Sequence, residues 1–147
     1  MIVADTNLIA YLLLEGPDTA LAQQVLDQDP IWAVPVLWRS EFRSVLAAYM
    51  RQRDLGLREA WRAHELAEGL VGAHEYTLGG EHVLHLVATS PCSAYDCEYV
   101  ALAEDLGVRL VTSDREVLRH FPRVALHPRE FVRSTAEKRL LPSTIRK

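Results

Sequence analysis

The opening residues limit the architecture more than any other part of the chain. A three-residue apolar run, Ile2-Val3-Ala4, stops abruptly at Asp5. The same pattern returns late in the sequence, where Leu110-Val111 is closely followed by Asp114. Both runs predict short buried strands, and the stretches between them carry the three-four apolar spacing of helices. Strands alternating with helices imply an α/β fold with a parallel sheet and right-handed crossovers. In an open parallel sheet, ligands bind in the crevice outside the carboxyl ends of the strands. Asp5 and Asp114 fall at those ends.

Two more acids, Glu41 and Asp96, sit near the starts of amphipathic helices. Carboxylates brought together would repel, by about 4 kcal/mol for a close pair at an effective dielectric near 20. Such a cluster makes sense around a hard divalent cation, whose natural ligands are oxygens. The expectation is a Mg²⁺- or Mn²⁺-dependent hydrolase. Each acid also has a plainer explanation. Asp5 and Asp114 suit helix N-caps. Asp96 follows Ser93 at the capping-box spacing and complements a helix dipole. Glu41 could be an ordinary surface acid. Two observations favour the shared site. Asp96 is aligned with the buried face formed by Tyr99, Val100 and Ala103, where an unpartnered charge is penalised. Four independent caps at one sheet edge would also be a coincidence.

Along the chain, strand Ile2–Ala4 leads into a helix from Thr6 to Leu14. Gly16-Pro17-Asp18 starts a second helix, to about Gln28. Ile31–Val34 is the next strand, and Pro35 is expected to open the third helix, with Trp38, Phe42, Val45 and Tyr49 as its buried stripe. Glu41 lies on the border of that stripe. A fourth helix, Leu57–Val71, carries the stripe Leu57, Trp61, His64, Ala67 and Val71. Glu75–Leu78 reads as a short edge strand and Glu81–Thr89 as a helix. Ser93 caps a helix from Ala94 to Leu106, which Gly107 terminates. Strand Arg109–Thr112, a short helix containing Val117, Leu118 and Phe121, strand Val124–Leu126 and helix Pro128–Val132 complete the pattern. Residues 1–134 form one domain. Residues 135–147 read as a basic tail, frayed or ordered only by a partner.

The 147 residues suit one domain, and 49% hydrophobic content supports a substantial core. A net charge of −4 argues against a protein that coats nucleic acid, so any such contact must be a local patch. Among 16 basic residues, only Lys138 and Lys147 are lysines. Arginine suits bidentate phosphate recognition, though a GC-rich genome produces the same bias. Arg39 and Arg43 flank Glu41 and are the ones expected near a phosphate. Cys92 and Cys97 match no zinc spacing and are expected as free thiols in a reducing cytosol. The apolar run Leu8–Leu14 is bracketed by Asp5 and Glu15 with no basic residue ahead, unlike a signal peptide. No apolar stretch reaches the roughly 18 residues of a membrane span. The chain is expected to be soluble and cytoplasmic.

Four segments then carry a family resemblance: IVADTN at the start, LWRSEFRSVL around Glu41, SAYDCEYVALAEDLG around Asp96, and LVTSD ending at Asp114. Together they resemble the PIN-domain ribonucleases, and within them the VapC-type toxins of toxin–antitoxin pairs. The resemblance implies a five-stranded parallel sheet in order 3-2-1-4-5. It implies a Mg²⁺ or Mn²⁺ site and endonucleolytic RNA cleavage leaving a 5′-phosphate and a 3′-hydroxyl. It implies inhibition by a small cognate antitoxin and a homodimer. Asp5, Glu41, Asp96 and Asp114 fill all four acidic positions. Asp5 and Asp96 are expected to ligate the ion directly, with Glu41 and Asp114 direct or through water. Thr6, Asn7, Thr112 and Ser113 either orient carboxylates and waters or only cap and turn the chain. Arg39, Arg43 and the basic tail could guide RNA, a looped or single-stranded target, or meet an acidic antitoxin segment. Two rivals stand beside this reading. A phosphoacceptor receiver domain also places acids around Mg²⁺, but wants a lysine after a late strand. A catalytically silent PIN fold would hold RNA or a partner without cutting.

Overall fold

Side chains on a strand alternate between its two faces, and both faces of these strands are apolar. Ile2, Ala4, Trp32, Val34 and Val111 belong to one buried cluster, and Val3, Ala33, Leu110 and Ala125 to another. The sheet must therefore be covered on both sides. The computed structural model describes residues 1–140 and shows this three-layer arrangement. Its elements are β1 (Ile2–Ala4), α1 (Thr6–Leu13), α2 (Thr19–Gln28), β2 (Trp32–Pro35), α3 (Trp38–Gln52), α4 (Leu57–Val71), β3 (Glu75–Tyr76), α5 (Gly80–Ala88), α6 (Ala94–Leu106), β4 (Leu110–Val111), α7 (Arg115–His120), β5 (Ala125–Leu126) and α8 (Pro128–Leu140). Helices α1 to α4 supply the first cluster, joined by Phe131 and Val132 of α8. Helices α5, α6 and α7 supply the second.

The five strands run in the order β3-β2-β1-β4-β5, and every pairing is parallel. Val3 pairs with Ala33 on one side and with Leu110 on the other, which makes β1 the central strand. This is the α/β order implied by the resemblance. It differs from the receiver order 2-1-3-4-5. Gly107 ends α6 at φ 65°, a left-handed conformation that glycine adopts without strain. No helix among the described residues is long and apolar enough to cross a membrane.

Three local expectations are corrected. Pro35 does not open a helix. It ends β2, opposite Tyr76, and α3 begins at Trp38. A proline is tolerated at a strand end because no further ladder bond is asked of its nitrogen, and the N–H of Val36 makes the last bond, to Tyr76. The stripe of α4 is corrected in its first half, while His64, Ala67 and Val71 are buried as expected. Leu57 is 74% and Trp61 58% exposed, while Ala60, Ala63, His64, Ala67 and Val71 are buried. Both sets obey helical spacing, and the alanines let α4 approach its neighbours closely. Finally, α8 runs to Leu140, so residues 135–140 continue a helix expected to stop near Val132. The rest of the expected tail, 141–147, lies outside the described residues.

Candidate active site

The central strand delivers the first acid. Asp5 directly follows β1, and its N–H still bonds to the carbonyl of Val111 on β4 (3.3 Å). It occupies the N-cap position of α1 without using its side chain as a cap. Its Oδ2 instead accepts a hydrogen bond from Thr112 at 2.7 Å. Thr112 follows β4 and is 1% exposed. The same hydroxyl accepts the N–H of Asp114 at 3.1 Å, so one side chain orients two acid-bearing turns. Asp114 does cap α7, its Oδ1 accepting the N–H of Val117 at 2.9 Å. Ser93 caps α6 by accepting the N–H of Asp96 at 3.1 Å. Capping accounts for the Asp114 side chain and for Ser93 but not for the Asp5 carboxylate, and the acids converge as well.

Glu41 enters from the first turn of α3. Its Oε1 accepts the Tyr99 hydroxyl at 2.7 Å, and the Thr6 hydroxyl lies 3.4 Å away. Tyr99 and Thr6 also share a short hydrogen bond. All four acids line one cleft of about 400 Å³, together with Thr6, Asn7, Ser44, Val45 and Ala48. No Lys, Arg or His is among these lining residues. Asp5, Asp96 and Asp114 also border a smaller pocket with Tyr99 and Thr112.

The electrostatics follow from this proximity. Burial, reinforced by Glu41 and Asp114, pushes the Asp5 carboxyl up to about 6 despite the opposing Thr112 bond. Burial, then Asp114, raises Asp96. Burial, then the Glu41 carboxylate, pushes the Tyr99 hydroxyl far up, so it keeps its proton and remains a donor. Glu41 and Asp114 thus oppose the ionisation of Asp5, and Asp114 that of Asp96, with no cation from the lining residues to relieve them. That donor set fits a hard divalent ion. As they stand, the acids line the cleft rather than close on a point. Among the described residues no group of three or more His, Cys, Asp or Glu side chains is gathered tightly enough to hold a metal.

A family model for the PIN domain matches residues 2–125. The chain belongs to the PIN domain family. Two solved structures share the fold of this PIN domain. PAE2754 from Pyrobaculum aerophilum is 20% identical, with a TM-score of 0.72 over 93% of this chain and 99% of that one. A toxin–antitoxin complex from Klebsiella pneumoniae contains a chain 16% identical, with a TM-score of 0.66 over 87% of this chain and 98% of that one. No curated protein matches the chain in sequence.

Several expected site residues of the PIN domain need relocation. Arg39 is not free for phosphate. Its guanidinium bonds Glu75 and Glu68, both at 2.6 Å, and stacks over Trp38. Arg43 lines a different groove, with Leu46, Met50 and Trp61. The reason is helical geometry: residues two before and two after Glu41 lie about 200° around the helix, on the far side from the cleft. Ser113 turns from the cleft to pair with Tyr11 at 3.2 Å. Thr6, Asn7 and Thr112 stand at the site. Tyr99 was legible only as part of a buried stripe. Its hydroxyl was the missed signal, because a buried phenol usually needs a polar partner. Ser44, one turn after Glu41, carried no signal beyond its place in the helix.

Proposed function

We propose that this PIN domain is a Mg²⁺- or Mn²⁺-dependent endoribonuclease that acts as the toxin of a toxin–antitoxin pair. The observation that carries the reading is the convergence of Asp5, Glu41, Asp96 and Asp114 on one cleft without a lining cation. When bound, a divalent ion there neutralises charge on the scissile phosphate and acidifies a coordinated water. Asp5 and Asp96 would hold it directly, and Glu41 and Asp114 directly or through water. Thr112 fixes one oxygen of Asp5, and the Val117 N–H fixes one oxygen of Asp114. Asp114 then has its other oxygen to offer, as suits an ion that retains several waters. The open cleft suits looped or single-stranded RNA, whose backbone is accessible.

The toxin assignment draws support from the fold shared with a chain of the Klebsiella pneumoniae toxin–antitoxin complex. It carries with it a small cognate antitoxin, a homodimer and a cytoplasmic site of action. The spacing of the acids favours one rival, a PIN fold that holds RNA without cutting. A single assay decides between them. Purified protein should cleave structured RNA with Mn²⁺, stop in a chelator and resume when Mn²⁺ is restored. Retention of RNA without cleavage in any divalent ion would establish the rival. Growth arrest on expression, relieved by co-expressing a short neighbouring reading frame, tests the toxin role separately.

A further inference from the structure

We infer that Tyr99 is a positioning residue for Glu41, holding one carboxylate oxygen so that the other faces the cleft. The inference rests on the metal-binding reading of the cleft. Three elements that each carry or adjoin an acid meet at this point. Thr6 begins α1 immediately after Asp5, Glu41 lies on α3, and Tyr99 lies on α6 one turn beyond Asp96. Thr6 and Tyr99 are both buried, at 4% exposure each. The network between them is therefore built into the core and does not depend on mobile surface groups.

Counting protons fixes its direction. A phenol has one hydrogen, and the Glu41 Oε1 at 2.7 Å accepts it. The Thr6 hydrogen then goes to the Tyr99 oxygen, with Glu41 Oε1 at 3.4 Å a poorer alternative. Tyr99 thus acts on Oε1 directly, and Thr6 acts through Tyr99. Neither of these bonds uses Oε2, and Glu41 lines the cleft. Asp5, held by Thr112, and Asp114, held by the Val117 N–H, are likewise oriented by hydrogen bonds to their carboxylates. A flexible three-carbon side chain such as glutamate benefits most from the tether, since its terminal torsion is broad.

A purely structural hydroxyl would satisfy burial and nothing more. Mn²⁺ affinity of the purified full chain, read from the free Mn²⁺ signal in electron paramagnetic resonance, separates the two roles. The melting temperature in a chelator is measured alongside. Tyr99→Phe keeps the ring and removes the donor, and should weaken Mn²⁺ binding by about 10-fold or more. Thr6→Val should weaken it less, because the direct bond to Glu41 survives, and Thr6→Ser should restore wild-type affinity. In a Glu41→Gln background, Tyr99→Phe should have little further effect. The inference is overturned if Tyr99→Phe lowers the melting temperature while Mn²⁺ affinity stays at the wild-type value. It is also overturned if the loss persists undiminished beside Glu41→Gln. Failure of wild-type protein to take up Mn²⁺ removes the metal-binding reading itself, and the inference with it.

Discussion

Thr112 and Asp5 are 107 positions apart in sequence and 2.7 Å apart in space, joined hydroxyl to carboxylate where β4 and β1 end side by side. The parallel pairing of Ala4 with Val111 makes the contact unavoidable, because each residue lies within one position of its strand's end. Thr112 also accepts the N–H of Asp114. Thr112→Val preserves shape and removes both interactions. Two part-buried polar groups lose a partner, and the expected destabilisation is about 1–3 kcal/mol in denaturant unfolding. Loss of carboxylate orientation should also reduce RNA cleavage by about 10-fold or more. Unchanged cleavage would show that the metal-facing geometry of Asp5 does not depend on this bond.

A second prediction concerns pH. Burial raises the Asp5 carboxyl from 3.8 to about 6 in the folded chain. A carboxyl raised by folding favours the protonated fold. Its penalty is absent below the unfolded value, accumulates as pH rises from about 4 to 6, and is complete above 6. The shift of roughly two units corresponds to about 3 kcal/mol. In chelator, Asp5→Asn should raise the melting temperature at pH 7 and flatten its dependence between pH 4 and 6. An Asn variant that keeps the wild-type slope would assign that slope to other groups.

Asp96 gives a sharper separation between stability and chemistry. Burial, then Asp114, already disfavours its charge in the metal-free fold. Asp96→Asn removes that penalty and keeps the backbone bond to Ser93 that caps α6. Melting temperature in chelator should stay constant or rise, whereas RNA cleavage should be abolished. Cleavage at the wild-type rate would mean that the catalytic site lies elsewhere.

The sequence exposed what depends on periodicity and on chain ends. Asp5 and Asp114 could be placed because a strand's end is marked by the end of its apolar run. The cap of Ser93 and the stop at Gly107 were legible because each depends on local backbone chemistry. Errors arose where two local solutions were equally good. The stripes Leu57-Trp61 and Ala60-Ala63 both fit α4, and only the space left by neighbouring helices chose the alanines. Pro35 suits a helix start and a strand end alike, and pairing with β3 decided it. The pairing that turns Arg39 from the cleft was not legible, because its partners, Glu68 and Glu75, lie 29 and 36 residues away. Tyr99 was passed over as a site residue because its role requires knowing that α3 and α6, on opposite faces of the sheet, bring Glu41 and the Tyr99 hydroxyl together.

Arg39 yields a final prediction because its placement assigns it to the edge of the sheet and away from the cleft. Its two bonds join α3 to Glu68 on α4 and to Glu75 on β3, the edge strand. Glu75 also receives the indole N–H of Trp38. Burial acts to raise the Glu75 carboxyl, but the bonds from Arg39 and Trp38 outweigh it and hold the carboxyl below its usual value. A depressed carboxyl contributes stability above its unfolded value and loses it as pH falls toward the folded one. Arg39→Ala would leave a half-buried carboxylate with one donor in place of two, and should destabilise the fold by about 1 kcal/mol at neutral pH. Part of that loss should disappear when the wild type and variant are compared in acid. Hydrogen exchange should locate the weakening at the β2–β3 pairing, where the N–H of Val36 bonds Tyr76. Mn²⁺ affinity and RNA cleavage per folded molecule should match the wild type. A large loss of RNA affinity in Arg39→Ala, with the fold intact, would instead return Arg39 to the substrate path.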